Sequence, residues 1–160
     1  PEEASKLLFK LEDLLRYQIN DSSKDRISLS SDIRFLNDFL NLEKIRRDNF
    51  EYTLSRKGEL DKLFLPPLLF IPFVENAVKH NPDSENLSYI HLSFHARQHE
   101  LIFQCVNSKP THQQDKKPQQ TGGLGLKNIK RRLELLYPDK HSLEIVEDKI
   151  SYTVNLRLTI

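Results

Sequence analysis

The chain has 160 residues and a mass of 18.8 kDa, which fits one domain or one domain with a helical extension. Its 24 basic and 23 acidic residues give a net charge of +1, so the composition does not indicate a general polyanion-binding surface. The mean hydropathy is −0.57, and no apolar run approaches the ~20 residues of a membrane helix. A single cysteine, Cys105, excludes an internal disulfide and a cysteine-cluster metal site, and favours a reducing compartment. Because the sequence starts at Pro1 without a methionine or a signal peptide, we expect it to be a piece of a longer protein.

Two amphipathic helices are predicted at the start of the chain. Apolar residues at three- and four-residue spacing predict a helix over residues 2–19, and a polar run ends it. A second helix is predicted over residues 30–48, with Ser30 or Ser28 as its N-cap. We expect residues 1–48 to form a helical arm that precedes the globular part.

Strands and helices are interleaved in the remaining residues, 49–160. Alternating apolar residues predict five strands, over residues 50–55, 88–95, 100–106, 142–146 and 151–160. Helices are predicted over residues 67–79 and 125–136. Pro72 lies inside the first of these, where it either bends the helix or marks its true start. Antiparallel hairpins interleaved with helices predict an α+β two-layer sandwich.

The first chemically suggestive segment is the polar end of the helix predicted over residues 67–79. Asn76, Lys79 and His80 fall within about one helical turn and so share one rim. An amide oxygen is a suitable Mg²⁺ ligand, and a nearby lysine suits a phosphate. The alternative is an ordinary polar C-terminal turn, where the helix dipole favours lysine and histidine. The spacing alone leaves both interpretations open.

The second segment is a glycine pair, Gly122 and Gly123, followed by Gly125 at the start of a predicted helix. Glycines allow close backbone approach, and the free N–H groups of a helix start attract phosphate oxygens. The segment matches neither a Walker A loop nor the dinucleotide fingerprint. Residues 109–141 carry eight basic and three acidic side chains, which indicates a local anionic ligand. A nucleic acid is disfavoured, because the basic run 127–132 lies on the solvent face of an amphipathic helix.

These segments resemble sensor histidine kinases of the LytS-like type. Residues 64–81 are similar to the N box of that family, residues 123–133 to its second glycine box, and residues 14–17 to the end of its dimerisation helix. The matches are in the family's order and spacing over nearly the whole chain. The resemblance implies the GHKL (Bergerat) ATP-binding fold over residues 49–160, with a mostly antiparallel mixed sheet and helices on one face. It also implies that residues 109–121, which contain no apolar residue, form a mobile ATP lid.

Carried over residue by residue, the resemblance implies one site for ATP and Mg²⁺. Asn76 would ligate Mg²⁺ between the phosphates, and Lys79 with His80 would line the phosphate side. Asn107 stands where the family has the aspartate that accepts the adenine amino proton, and its neutral amide oxygen can still accept that bond. In the second glycine box, two glycines would bring backbone N–H groups to the phosphates and two leucines would shape the pocket: Gly123, Gly125, Leu124 and Leu126.

The implied activity is ATP-dependent phosphorylation of a histidine, followed by transfer to a response regulator. Residues 1–48 contain no histidine, so we expect the acceptor upstream of Pro1 and no self-phosphorylation by this chain. In related hydrolases a water-activating glutamate occupies the position of Pro72, and Glu75 is expected to point elsewhere, so efficient ATP hydrolysis is not expected.

The resemblance further implies a homodimeric parent that is bacterial and membrane-anchored, with this chain as a cytoplasmic part. The membrane would be reached only through the missing upstream part. The alternative function is a scaffold that dimerises and ignores nucleotides. Replacement of the first glycine box by Asn107, Ser108 and Lys109 favours that alternative. Asn76, Lys79 and the second glycine box argue against it, and saturable binding of ATP with Mg²⁺ separates the two.

Overall fold

The computed structural model describes residues 2–16, 23–81, 86–110 and 124–160. In these ranges the chain forms four helices and seven strands, which are, in order, α1 (Glu2–Arg16), β1 (Ile27–Ser28), α2 (Leu29–Arg46), β2 (Phe50–Lys57), β3 (Phe64–Leu65), α3 (Ile71–Lys79), β4 (Ser88–Arg97), β5 (Glu100–Ser108), α4 (Leu124–Leu136), β6 (His141–Glu147) and β7 (Ser151–Thr159). Among the described helices, none is long and apolar enough to span a membrane.

Five of the described strands form one mixed sheet in the order β2-β4-β5-β7-β6. β2 runs parallel to β4, and the other neighbours are antiparallel. All five strands of this sheet were predicted from alternating apolar residues. The predicted α+β architecture is confirmed.

The core lies between the helices and one face of the sheet. Phe70, just before α3, packs edge-to-face on Phe94 of β4 with ring centroids 5.2 Å apart. It also contacts Phe103 of β5 at 4.8 Å. Side chains on the inward face of β4, β5 and β7 are buried at every second position, as the alternation requires. The sheet therefore forms the surface against which the helices pack.

The apolar side of α2 is part of this same core, whereas the sequence pattern assigns the helix to a preceding arm. Ile33, Leu36 and Leu40 are fully buried in it. The start of α2 agrees with one of the two predicted caps, because the Ser31 backbone N–H donates to the Ser28 hydroxyl at 3.2 Å. Periodicity identifies the apolar face of a helix but not the surface it covers, which explains the difference.

Pro72 marks the true start of its helix. α3 begins at Ile71, with Pro72 in the first turn. Backbone N–H groups in the first turn have no intrahelical acceptor, so the N–H that proline lacks costs the helix no hydrogen bond there. The predicted start at residue 67 is therefore wrong. The residues before α3 instead form β3 and a turn in which Leu68 has a φ of 59°. β3 pairs with β1, and two-residue strands of this kind are too short to give a periodic signal.

Candidate functional site

A cleft of about 200 Å³ separates α3 from α4. Four of the predicted site residues line it, two from each helix. They are Asn76 and Lys79 on α3, and Gly125 and Leu126 on α4. Two segments that are 45 residues apart in sequence thus meet at one site.

The polar side of α3 faces the cleft because its apolar side is held on the sheet. Phe73 and Ala77 are buried, and the Phe73 ring lies 5.8 Å from that of Phe103. The opposite side carries four residues at the i, i+3, i+4 and i+7 spacing of one helical face, which are Pro72, Glu75, Asn76 and Lys79. The expectation that Glu75 points elsewhere is wrong, since its exposed side chain lines the cleft.

The wall on α4 is open at its glycine. A Cβ placed on Gly125 would meet no heavy atom within 4 Å, so a ligand can approach the backbone of the first helical turn. Leu126 and Ile129 complete this wall. Ile129 was not predicted as a lining residue, although its spacing of three from Leu126 could have indicated it. Gly123 and the side chain of Leu124 lie outside the described residues.

Asn107 is buried at the end of β5, next in the inward-facing series after Phe103 and Cys105. Its Nδ2 donates to the Ser108 carbonyl at 3.0 Å. Its Oδ1 is buried and has no hydrogen-bond partner among the described residues. An unsatisfied buried acceptor costs about 1–3 kcal/mol, so this atom is suited to receive an N–H group from a ligand.

Asn107 does not line the cleft itself, but α3 runs along β5 toward it. Near the start of α3, Phe73 packs on Phe103. Just beyond its end, Asn81 Oδ1 accepts a hydrogen bond from the Ser108 hydroxyl at 3.3 Å. Asn81 is buried and also donates through Nδ2 to the Tyr89 carbonyl at 3.0 Å. The last turn of α3 is thereby fixed at the end of the sheet where Asn107 lies.

His80 caps α3 rather than lining the cleft. Its backbone N–H donates to the Asn76 carbonyl at 3.0 Å. Partial burial lowers the pKa of the imidazole, the Lys79 charge lowers it further, and Glu147 opposes both. With its pKa below the usual 6.5, the ring is mainly neutral at pH 7 in the free chain.

Two of the basic residues in the 109–141 segment have partners within the fold. The Lys109 ammonium lies 2.7 Å from the Glu147 carboxylate and donates to the Asp148 carbonyl at 3.0 Å. Arg132 donates to two backbone carbonyls before α3. Lys109 and Pro110 are described, whereas the rest of the predicted lid, residues 111–121, is outside the described residues.

Comparisons with known proteins agree with this fold. The histidine kinase family model matches residues 1–50. The sensor histidine kinase BtsS of Escherichia coli K12 is 28% identical over 162 residues, which cover 98% of this chain and 28% of BtsS. The sensor protein LytS of Staphylococcus haemolyticus is 27% identical, over 98% of this chain and 29% of LytS. The chain thus spans just over a quarter of these relatives.

Solved structures share the fold at low sequence identity. The catalytic domain of the histidine kinase ThkA matches with a TM-score of 0.57 at 20% identity, over 84% of this chain and 93% of that one. The Acinetobacter baumannii histidine kinase AdeS matches with a TM-score of 0.58 at 12% identity, over 97% of this chain and 77% of that one. ThkA in complex with the response regulator TrrA matches with a TM-score of 0.57 at 16% identity, over 97% and 48%. The predicted resemblance and the GHKL type of fold are confirmed.

Proposed function

Because the chain is similar to sensor histidine kinases of the LytS-like type, we propose that it is the ATP-binding catalytic part of such a kinase. In this proposal the chain presents the γ-phosphate of ATP to a histidine outside its own residues, and a response regulator receives the phosphate next. The observation that carries the proposal is the cleft between α3 and α4, which combines an amide, an ammonium and an open helix N-terminus.

The residues of the cleft fit a metal-bound triphosphate. Asn76 offers a neutral oxygen of the kind that Mg²⁺ accepts, and Lys79 offers a positive charge one turn away. The first turn of α4 at Gly125 offers backbone N–H groups and the positive end of the helix dipole. When bound, Mg²⁺ would neutralise part of the phosphate charge. The site needs few cations of its own for this reason, and Lys79 is the one basic side chain among the described residues that line it.

Asn107 is the proposed adenine contact. Its unpartnered Oδ1 accepts hydrogen bonds only, which suits the amino group of adenine and not the carbonyl of guanine. Its Nδ2 is held on the Ser108 carbonyl, so the amide is oriented before any base arrives. His80 is proposed to reach the phosphate side from the end of α3, where its ring would gain a proton as negative charge approaches.

The proposed setting is a homodimeric parent with this chain on its cytoplasmic side. α1 leaves four large apolar side chains exposed, with 67% of Leu8, 68% of Phe9, 43% of Leu11 and 56% of Leu15 accessible. A second copy of α1 is the proposed cover for these residues, because a group of exposed apolar side chains is typical of a protein–protein interaction site. The response regulator is proposed as the second protein partner.

Calorimetry of ATP binding in the presence and absence of Mg²⁺ tests the proposal. We expect the parent chain to bind one ATP. In the presence of Mg²⁺ the Asn76→Ala variant should bind ATP at least about tenfold more weakly, because a metal ligand is lost. In EDTA the parent and the variant should bind alike. Asn41→Ala on α2 is the matched control, as it also removes a half-buried amide from a helix. If the parent shows no saturable binding, the nucleotide-insensitive scaffold is the function instead.

A further inference from the structure

Arg132 differs from the other basic residues of α4. Lys127, Lys130 and Arg131 are exposed, whereas Arg132 is half-buried. Its Nη1 donates to the Leu68 carbonyl and its Nη2 to the Pro67 carbonyl, both at 2.5 Å. A guanidinium can engage two neighbouring acceptors at once because its donors form a rigid planar fork. Arg132 is therefore engaged by the protein backbone.

The two carbonyls belong to the turn that leads into α3. Leu68 has a φ of 59°, a left-handed conformation that leucine rarely adopts. Phe70 is the N-cap of α3 and provides no side-chain hydrogen bond. The start of α3 thus lacks the usual cap, and the Arg132 fork holds the preceding turn from outside.

Arg132 lies at one end of the cleft. On α4 it follows Gly125 and Ile129 at a spacing of four and then three, so it continues the stripe that faces α3. On the other wall the contacted turn precedes Pro72, the first lining residue of α3. The guanidinium therefore connects the two walls directly. Leu133, the next residue, is fully buried and anchors α4 in the core at the same level.

We infer that Arg132 is a positioning residue that sets the separation of α3 and α4, and hence the fit of the cleft to its nucleotide. The inference rests on the proposed function as far as the nucleotide is concerned. Arg132 contributes through backbone carbonyls rather than through contact with phosphate. If the residue at this position instead neutralised phosphate charge directly, a lysine would support nucleotide binding as well as an arginine.

The test compares Arg132→Gln, Arg132→Lys and the control Arg131→Gln, which removes a neighbouring exposed charge. Two properties are measured on the 160-residue chain: binding of ATP with Mg²⁺, and hydrogen exchange of the Phe73 and Val74 amides. These amides donate to the Phe70 carbonyl at 3.0 and 3.4 Å and so report on the first turn of α3. Amides in the β4–β5 pairing serve as the internal reference for global stability.

We expect Arg132→Gln to weaken binding about tenfold, the change that follows when the binding-competent arrangement of the two helices falls to about a tenth of the population. Exchange at Phe73 and Val74 should accelerate while the β4–β5 amides stay protected. Arg132→Lys should recover only part of both properties, because an ammonium does not reproduce the fork. Arg131→Gln should leave exchange unchanged.

Unchanged exchange in Arg132→Gln would overturn the inference, and so would complete rescue by lysine or an equal loss of binding in Arg131→Gln. The exchange measurement needs no nucleotide. If the parent chain fails to bind ATP, the proposed function fails, while exchange at α3 still decides whether Arg132 holds the two helices together.

Discussion

The amide of Asn107 is oriented by a single backbone contact, and this determines which kind of hydrogen-bonding group it could bind. Nδ2 faces the Ser108 carbonyl at 3.0 Å, which leaves Oδ1 as an acceptor that no described residue satisfies. A carboxylate at this position would place a second oxygen against that carbonyl. The neutral amide is thus compatible with its neighbour in a way that the aspartate of related kinases would not be here.

We predict that Asn107→Leu removes the preference for ATP over GTP, because the acceptor for the adenine amino group is lost. ATP binding should weaken by about 1 kcal/mol, or several-fold, with little change for GTP. Asn107→Asp should bind ATP within a few-fold of the parent, since charge-assisted hydrogen bonding is offset by desolvation and by the Ser108 carbonyl. Competition between the two nucleotides for a fluorescent ATP analogue measures this preference.

Asn155→Leu is the matched control for Asn107→Leu. Asn155 is also a strand amide, but its Oδ1 is satisfied by Gln104 Nε2 at 2.8 Å. It lies on a different strand, β7. An unaltered ratio of ATP to GTP affinity in Asn107→Leu would show that this amide does not read the base.

At the scale of elements, an ion pair secures the end of β5 against the β6–β7 hairpin. The side chains of Lys109 and Glu147 are only 15% and 18% exposed and lie 2.7 Å apart. The Lys109 backbone N–H also donates to the Ile150 carbonyl at 2.9 Å. The predicted lid begins at this residue, so the pair fixes the point from which any lid must start.

We predict that Lys109→Met destabilises the fold by roughly 2 kcal/mol, because the largely buried Glu147 carboxylate loses the ammonium that lies 2.7 Å from it. The double variant Lys109→Met, Glu147→Gln should be less destabilised than the sum of the single changes. Urea unfolding followed by circular dichroism measures all three. In the exposed pair Lys62–Glu59, at 3.5 Å and 80% and 82% exposed, Lys62→Met should change stability by less than about 0.5 kcal/mol. Additive effects at Lys109 and Glu147 would contradict the prediction.

The elements that could be predicted from sequence are those with a local cause. Alternating apolar residues produced every strand of the main sheet, and the three- and four-residue spacing produced the helices. Ser28 was one of two predicted N-caps, because a serine hydroxyl can accept a hydrogen bond from a backbone N–H two or three residues further along the chain. Pro72 was recognised from sequence as unsuited to a helix interior, because the effect of a proline is also local. Its position in the first turn of α3 removes the conflict.

The remaining features depend on partners distant in sequence. α2 covers the sheet because its apolar face finds the core there, and no local pattern specifies that choice. Glu75 lines the cleft because α4 lies opposite, and Arg132 is engaged because the turn before α3 approaches it. In the sequence Lys109 is visible only as part of a basic segment, whereas in the fold its ammonium lies 2.7 Å from the Glu147 carboxylate. For Glu75, Arg132 and Lys109 the residue type was visible, but the partner was 35 or more residues away.

At the scale of the whole molecule, the histidines all follow α1 and α2 in the sequence. Residues 1–48, which contain α1 and α2, have no histidine. His91 and His95 lie on β4, and the Nδ1 atom of His91 is 2.7 Å from the Thr53 hydroxyl. The ring of His141 is engaged similarly, with Nδ1 at 2.7 Å from the Tyr137 carbonyl. The rings of His91 and His141 are thus engaged by neighbouring groups of the protein.

We therefore predict that the chain binds ATP without transferring phosphate to itself. Incubation with ATP labelled at the γ-phosphate, in the presence of Mg²⁺, should give no acid-labile phosphohistidine, because phosphoryl transfer requires the acceptor in line with the leaving group. Binding of ATP is measured in the same samples, so an unlabelled chain that is saturated with ATP is the expected result. Labels on lysine or serine are distinguished by their stability in acid and alkali. An acid-labile phosphate on His80, which lies at the end of α3 beside the cleft, would show that the chain contains its own acceptor, and so would one on any other histidine.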